Sequence, residues 1–201
     1  HKNIKLKIMK RRIPLLLAIV ALLVIAPLLY HLVVDQNPDE MKIKDVLVTN
    51  DQTNVLVYAR LSHFPPDIEK AILAGVSTTF SFKIEFYRKK KHWFDERLAQ
   101  LEIIKNIKYD QAKKKFYVTS TFPQTAEAFQ EFAMARLAVA EINGIPVVNM
   151  KNLSRDQDYY ARIKLAWENY RLPFYAEFLR IFLSFRDFET DWQIQPFRLQ
   201  T

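Results

Sequence analysis

The sequence predicts an α+β fold: a predominantly antiparallel β-sheet domain of about seven or eight strands with about three helices, preceded by an N-terminal transmembrane helix. Three observations carry this. Residues 13–34 form an uncharged apolar run, strand-type alternation begins near Met41, and three stretches carry helix start and stop signals.

The run Ile13–Val34, IPLLLAIVALLVIAPLLYHLVV, holds 22 residues without Asp, Glu, Lys or Arg. At ~1.5 Å per residue it would span ~33 Å as a helix, about the hydrocarbon thickness of a bilayer. Lys2, Lys5, Lys7, Lys10, Arg11 and Arg12 precede it, and no acid occurs before Asp35. Bases concentrate on the cytoplasmic flank of a membrane helix. The expected arrangement is therefore a basic cytoplasmic leader (1–12), a signal anchor (13–34), a polar tether (35–41) and an exported domain (42–201). A cleaved signal peptide would have a shorter apolar region and small residues at the cut, which Leu28-Leu29-Tyr30-His31-Leu32 does not offer. Tyr30 and His31 suit the outer interface, and Pro27 is placed to kink the last turn. The chain opens on His1, so either residues precede it or Met9 is the initiator.

The charge balance follows from the same asymmetry. Of 30 Lys and Arg, six lie in the leader, leaving 24 against 22 acids and an almost neutral remainder. The net charge of +8 is thus mainly an orientation signal, and nucleic acid is disfavoured as a partner. With no cysteine, stability must come from a core rather than disulfides. Roughly 160 residues after the anchor are enough for one such domain.

Along that domain, Met41–Thr49 and Asn54–Leu61 alternate about a turn at Asn50-Asp51. Thr78–Tyr87 is the clearest strand, with Phe80, Phe82, Ile84 and Phe86 on one side and Ser81, Lys83 and Glu85 on the other. Leu101, Ile103, Ile107 and Tyr109 repeat the pattern, and Asp110-Gln111-Ala112-Lys113 turns the chain into Phe116, Val118 and Ser120. Ile145–Asn152 and Asp158–Trp167 read as a further pair, and Trp192–Leu199 as a last strand. Three helices are expected. Pro66–Ala74 opens on proline and stops at Gly75. Thr125 is placed to cap Ala126–Ile142, with Asn143-Gly144 as its end. Leu172-Pro173 opens Phe174–Phe185.

Motifs with chemistry are sparse. The two glycines, Gly75 and Gly144, are accounted for as helix ends, so no phosphate-cradling loop is available. His63 and His92 have no partner at metal-ligand spacing, and no serine sits in a nucleophile elbow. Asp156 with Asp158, and Glu189 with Asp191, read as turn formers rather than catalytic pairs. The expectation is a protein that is not an enzyme, with no catalytic residues, no cofactor and no metal.

Two surfaces are candidates for interaction. Arg88, Lys89, Lys90 and Lys91, followed by His92, Trp93 and Phe94, follow the aromatic strand. They suit anionic headgroups or an acidic partner, although a plain charged tip with Trp93 and Phe94 folded back on the core is the favoured reading. Phe174, Phe178, Phe182 and Phe185 would line one side of the third helix, most simply as core and otherwise as a partner-binding or membrane-facing stripe.

Several short features in order resemble a proteobacterial family known as domain of unknown function 4390. They are Ala71-Ile72-Leu73-Ala74-Gly75-Val76, the Phe80-Phe82-Ile84 strand, Tyr87-Arg88, Trp93, Tyr109, Thr125-Ala126-Glu127-Ala128, Leu172-Pro173 and Asp191-Trp192. They cover about residues 42–198, and the chain departs from the family at Gln195-Pro196-Phe197. The resemblance implies one membrane helix, an exported domain in a Gram-negative bacterium and no assigned activity. It also implies gene neighbours that include sensor kinases.

The expected function is a single-pass inner-membrane protein, N-terminus cytoplasmic and main domain periplasmic. That domain would act as a non-catalytic accessory, scaffold or signalling-partner subunit of a membrane complex, with a protein partner such as a sensor kinase. The alternative is a periplasmic carrier or sensor of apolar or lipid ligands. A lower alternative is a hydrolase of envelope polymers.

Overall fold

The computed structural model describes residues 41–62, 64–168 and 188–199. Met41–Thr201 forms one compact unit, divided from His1–Glu40. The expected anchor and tether residues up to Glu40, His63 and the third helix at Phe174–Phe185 lie outside the described residues. Among the described residues no helix is long and apolar enough to cross a membrane.

Ten strands and two α-helices follow in the order β1 (Ile43–Asn50), β2 (Asn54–Leu61), α1 (Pro66–Leu73), β3 (Thr78–Arg88), β4 (Glu96–Asp110), β5 (Lys115–Thr121), β6 (Gln124–Phe129), α2 (Phe132–Ala140), β7 (Glu141–Asn149), a 3-10 turn (Met150–Asn152), β8 (Tyr159–Glu168), β9 (Phe188–Glu189) and β10 (Gln193–Phe197). They form a three-stranded sheet, β1-β2-β7, and a seven-stranded sheet, β10-β8-β3-β4-β5-β6, with β9 paired to β8. Every pairing is antiparallel. The expected antiparallel α+β class stands, but as two sheets and more strands than expected.

Local chemistry explains the turns. The Asp51 carboxylate accepts from the amides of Thr53 and Asn54, both at 2.6 Å, and closes β1 onto β2. Asp110 does the same for Ala112 and Lys113 at 3.0 Å. These are Asx turns, in which a short carboxylate takes the role of a backbone acceptor. Helix α1 has Pro66 in its first turn and Asp67 and Glu69 near its positive end. It closes in a Schellman motif: Gly75 (φ +87°) donates to Ile72 and Val76 donates to Ala71.

Three expectations are corrected. The helix expected over Ala126–Ile142 is instead a strand, a shorter helix and a second strand. Gln124–Phe129 pairs with β5 through the turn at Phe122-Pro123, so ladder hydrogen bonds override the helical preference of its alanines and glutamate. Asn143-Gly144 does not end a helix. It lies within β7, where the register against β2 slips between Val57 and Ala59, and Gly144 takes φ +62° as a bulge glycine. Finally, β7 and β8, expected to pair, belong to different sheets: β7 completes the small sheet and β8 pairs with β3.

The core lies on the phenylalanine side of β3. Phe80, Phe82, Ile84 and Phe86 are fully buried with Ile103 and Ile107 of β4 and Ile163 and Leu165 of β8. Phe64 stacks on Phe80 at 5.1 Å, and Phe132 of α2 packs on Phe116 of β5 at 5.4 Å. Strand β1 meets β8 and β10, and β7 meets β3 and β4. The small sheet and both helices therefore pack on one face of the seven-stranded sheet. Its other face carries the polar positions.

Candidate interaction surface

Alternation forces Thr79, Ser81, Lys83, Glu85 and Tyr87 of β3 to the face opposite the core. Register then sets Glu85 beside Arg162, Lys83 beside Lys164, and Tyr87 beside Tyr160. The Glu85 carboxylate, its side chain 8% exposed, accepts from Arg162 Nε at 2.7 Å, Arg97 Nη1 at 3.3 Å and Tyr87 Oη at 2.8 Å. Burial alone would raise its pKa. The bonds from Tyr87 and Arg162 and the charges of Arg162 and Arg97 outweigh it and hold the carboxyl below the ordinary glutamate range. A carboxylate so saturated is a structural anion rather than a general base.

Aromatic rings frame this centre. The Arg162 guanidinium lies 4.9 Å from the Tyr87 ring centroid and 4.3 Å from that of Trp192. Lys164 sits 4.9 Å from Trp192 and pairs with Glu189, which also meets Lys83 at 3.7 Å. Tyr87 and Tyr160 stack at 5.1 Å. Tyr160 donates to Asp95 at 2.9 Å, and burial followed by that bond pushes its phenol up to about 12. Ser81 donates to Glu102 at 2.5 Å. On the same face Ile104, opposite Ser81, is 40% exposed, and Ile194, opposite Arg162, is 59% exposed. The result is an internally neutralised platform with apolar residues at its margin. The alternation of Ser81, Lys83 and Glu85 was visible in sequence. The register that sets Glu85 against Arg162 was not.

The β3–β4 hairpin carries the first surface expected from sequence. Arg88 ends β3, with Nη1 on Glu96 at 3.2 Å and Nη2 on the Asn152 carbonyl at 3.3 Å. Lys90 also meets Glu96, at 3.0 Å, while Lys89, Lys91 and His92 are exposed. Trp93 and Phe94 do not fold back on the core: they are 80% and 89% exposed. The reason lies in how the loop closes. Lys89 donates its amide to the Asp158 carbonyl at 2.8 Å and Asp95 accepts from the Lys90 amide at 3.0 Å, so the loop closes below the two rings. Phe174, Phe178, Phe182 and Phe185 lie outside the described residues.

Two concavities lie elsewhere among the described residues. Lys105 of β4, on the core side, caps α2: its ammonium donates to the carbonyls of Ala138, at 2.8 Å, and Glu141. Burial lowers its pKa against the opposing pull of Glu141 and Glu127. It lines a cavity of about 320 Å³ together with Val118, Phe122, Ile142 and Ile145. A wider groove of about 980 Å³ runs between the end of β1 and the end of β10, with Arg155, Asp156 and Arg198 on its walls.

The remaining acids considered as catalytic pairs are separate. Asp158 pairs with Arg198 at 2.7 Å, Asp156 and Asp191 are exposed, and Glu189 belongs to the lysine pair above. Among the described residues, no group of His, Cys, Asp and Glu is placed to hold a metal ion.

A family model described as a domain of unknown function (DUF4390) matches residues 38–195. Comparison with curated proteins and with solved structures gives no match.

Proposed function

As the chain belongs to the DUF4390 family, whose description assigns no activity, we propose that it is a membrane-anchored, non-catalytic accessory subunit of an inner-membrane complex. Residues 13–34 serve as a single-pass anchor with the basic leader in the cytoplasm, and the two-sheet domain works in the periplasm as a scaffold or signalling partner. One observation carries the reading: on the polar face of the large sheet the charged groups around Glu85 neutralise one another and are clamped by rings. Structural ion-pair networks shift pKa values too, and groups engaged this fully with one another are not poised for a substrate. Recognition needs a preorganised surface with a few apolar anchors, and Trp192, Ile194 and Ile104 supply them.

The protein partner, a sensor kinase among the candidates, would rest on this face. The test is blue native electrophoresis of the full chain extracted in mild detergent from its own membranes. The expected result is migration in an assembly larger than the 23.8 kDa chain, dissolved by Ile194→Glu. Migration of the wild-type chain alone would refute the accessory role. A C-terminal reporter active only in the cytosol would refute the orientation.

A second reading retains one observation. The cavity of about 320 Å³ beside Lys105 is at the small end of ligand sites and has the mostly apolar lining a small amphiphile would need. Loss of binding of a fluorescent fatty acid on Val118→Trp would support a carrier or sensor role; no binding by the wild-type chain would dismiss it.

A further inference from the structure

We propose that the β3–β4 hairpin tip is a second membrane attachment, with Trp93 and Phe94 seated at the headgroup level of an anionic phospholipid surface. This rests on the anchored reading above and names the surface that a site separate from the sheet face would meet.

The tip has the chemistry for it. Trp93 and Phe94 are adjacent, large and almost fully exposed, on a loop that no other described element covers. Aromatic rings favour the interfacial depth of a bilayer, where one side is apolar and the other wet. The charge balance matches. The two acids of the loop are engaged by it, Asp95 taking the Lys90 amide and the Tyr160 hydroxyl, and Glu96 taking Arg88 and Lys90. Lys89 and Lys91 are exposed and form no salt bridge among the described residues, and the four bases Arg88 to Lys91 outnumber the two acids, so the tip is net cationic. Basic residues beside exposed rings are the combination that binds anionic lipid.

The tip lies at the end of the domain away from Met41: the amide of Ser62 bonds to the Lys42 carbonyl and Phe64 stacks on Phe80, about 27 Å along β3 from Arg88. Locking of the hairpin base by the Arg88–Glu96 pair and the Lys89 amide keeps the rings preorganised.

The absence of native cysteine makes single nitroxide labels straightforward. The full chain carrying His92→Cys is labelled and reconstituted in liposomes of phosphatidylglycerol and phosphatidylethanolamine, and in pure phosphatidylcholine. Oxygen and nickel-chelate accessibility are then read by electron paramagnetic resonance. In the anionic liposomes the label should gain oxygen and lose nickel accessibility, whereas a label at Lys113→Cys, in the β4–β5 turn, stays aqueous. Adding Trp93→Ser with Phe94→Ser should return the His92 label to water. Lys89→Gln and Lys91→Gln should each weaken the seating equilibrium about fivefold.

A His92 label that remains aqueous in anionic liposomes, while a separate label at Leu22→Cys reports the membrane interior, overturns the tip proposal and leaves the anchor standing. An aqueous Leu22 label overturns the anchored reading and this proposal together. Equal seating in phosphatidylcholine overturns the role of the lysines.

Discussion

Removing Arg162 is the sharpest test of how the polar sheet face is built. Its guanidinium makes two short contacts to one Glu85 oxygen, Nε at 2.7 Å and Nη2 at 2.6 Å, and Glu85 is 8% exposed. Stripping the partner from a fully buried carboxylate costs about 3–5 kcal/mol. Here Tyr87 at 2.8 Å and Arg97 at 3.3 Å remain on the carboxylate, so Arg162→Met should cost less, about 2–3 kcal/mol. For a domain of this size that is a fall in Tm of roughly 5–10 °C. Arg97, half exposed, should be worth no more than about 1 kcal/mol. In a cycle with Glu85→Met the double variant should recover about 1.5–3 kcal/mol, because no unpaired charge is left behind. Urea unfolding of the purified protein reads all four corners. The pH dependence has a definite sign. Glu85 titrates below its unfolded value, so its contribution is complete above the unfolded pKa near 4.5 and is lost as pH falls through the folded one. Glu85→Met should flatten that acid limb. A coupling under about 0.5 kcal/mol, within the error of independent sites, would refute the view of Glu85 as the electrostatic centre of this face.

Further outcomes are expected. Gly144→Ala should destabilise by about 1–2 kcal/mol in urea titrations, since φ is +62° and a Cβ would stand 3.0 Å from Tyr58 Oη. Gly75→Ala, whose added Cβ meets nothing closer than 3.5 Å, should lose less, chiefly through its positive φ. The Tyr160 phenol, pushed up to about 12 by burial and its bond to Asp95, should ionise above the ordinary tyrosine range by absorbance. Its contribution to stability is complete below pH ~10 and lost as pH rises through ~12, and Asp95→Asn should bring its titration down. Lys105→Met should cost about 1–2 kcal/mol and speed amide exchange at the end of α2, because Ala138 and Glu141 lose their donor. Trp93→Ser with Phe94→Ser should leave Tm unchanged within about 0.5 kcal/mol of stability, whatever it does to membrane seating.

Much of the strand content was legible because period-two patterning is a local property. Asn54–Leu61 has the expected bounds, the four core residues of β3 are the ones its alternation nominates, and Asp51 and Asp110 make the turns their position suggested. The misreadings share a cause. Gly144 supplies a left-handed backbone to a bulge, and a helix end asks for the same conformation, so the residue could not tell one from the other. Alanine-rich Gln124–Phe129 has no strand signature of its own and is extended because β5 offers it a ladder. Which strands share a sheet, and hence that Glu85 meets Arg162, depends on pairings distant in sequence. The exposure of Trp93 and Phe94 was a similar case. Their chemistry was plain, but the loop closure that lifts them off the core depends on Asp158, sixty-odd positions later.

The outer strand β10 sets a limit on how copies of this protein can associate. It is five residues long and carries Pro196, which brings no amide to a neighbouring chain. A short border of this kind makes a poor template for another strand. Along that side the large sheet resists extension from one molecule into the next, which protects against fibrous self-association. Strand pairing between copies is then left to the other borders of the described sheets, β6 of the large one and β1 and β7 of the small one.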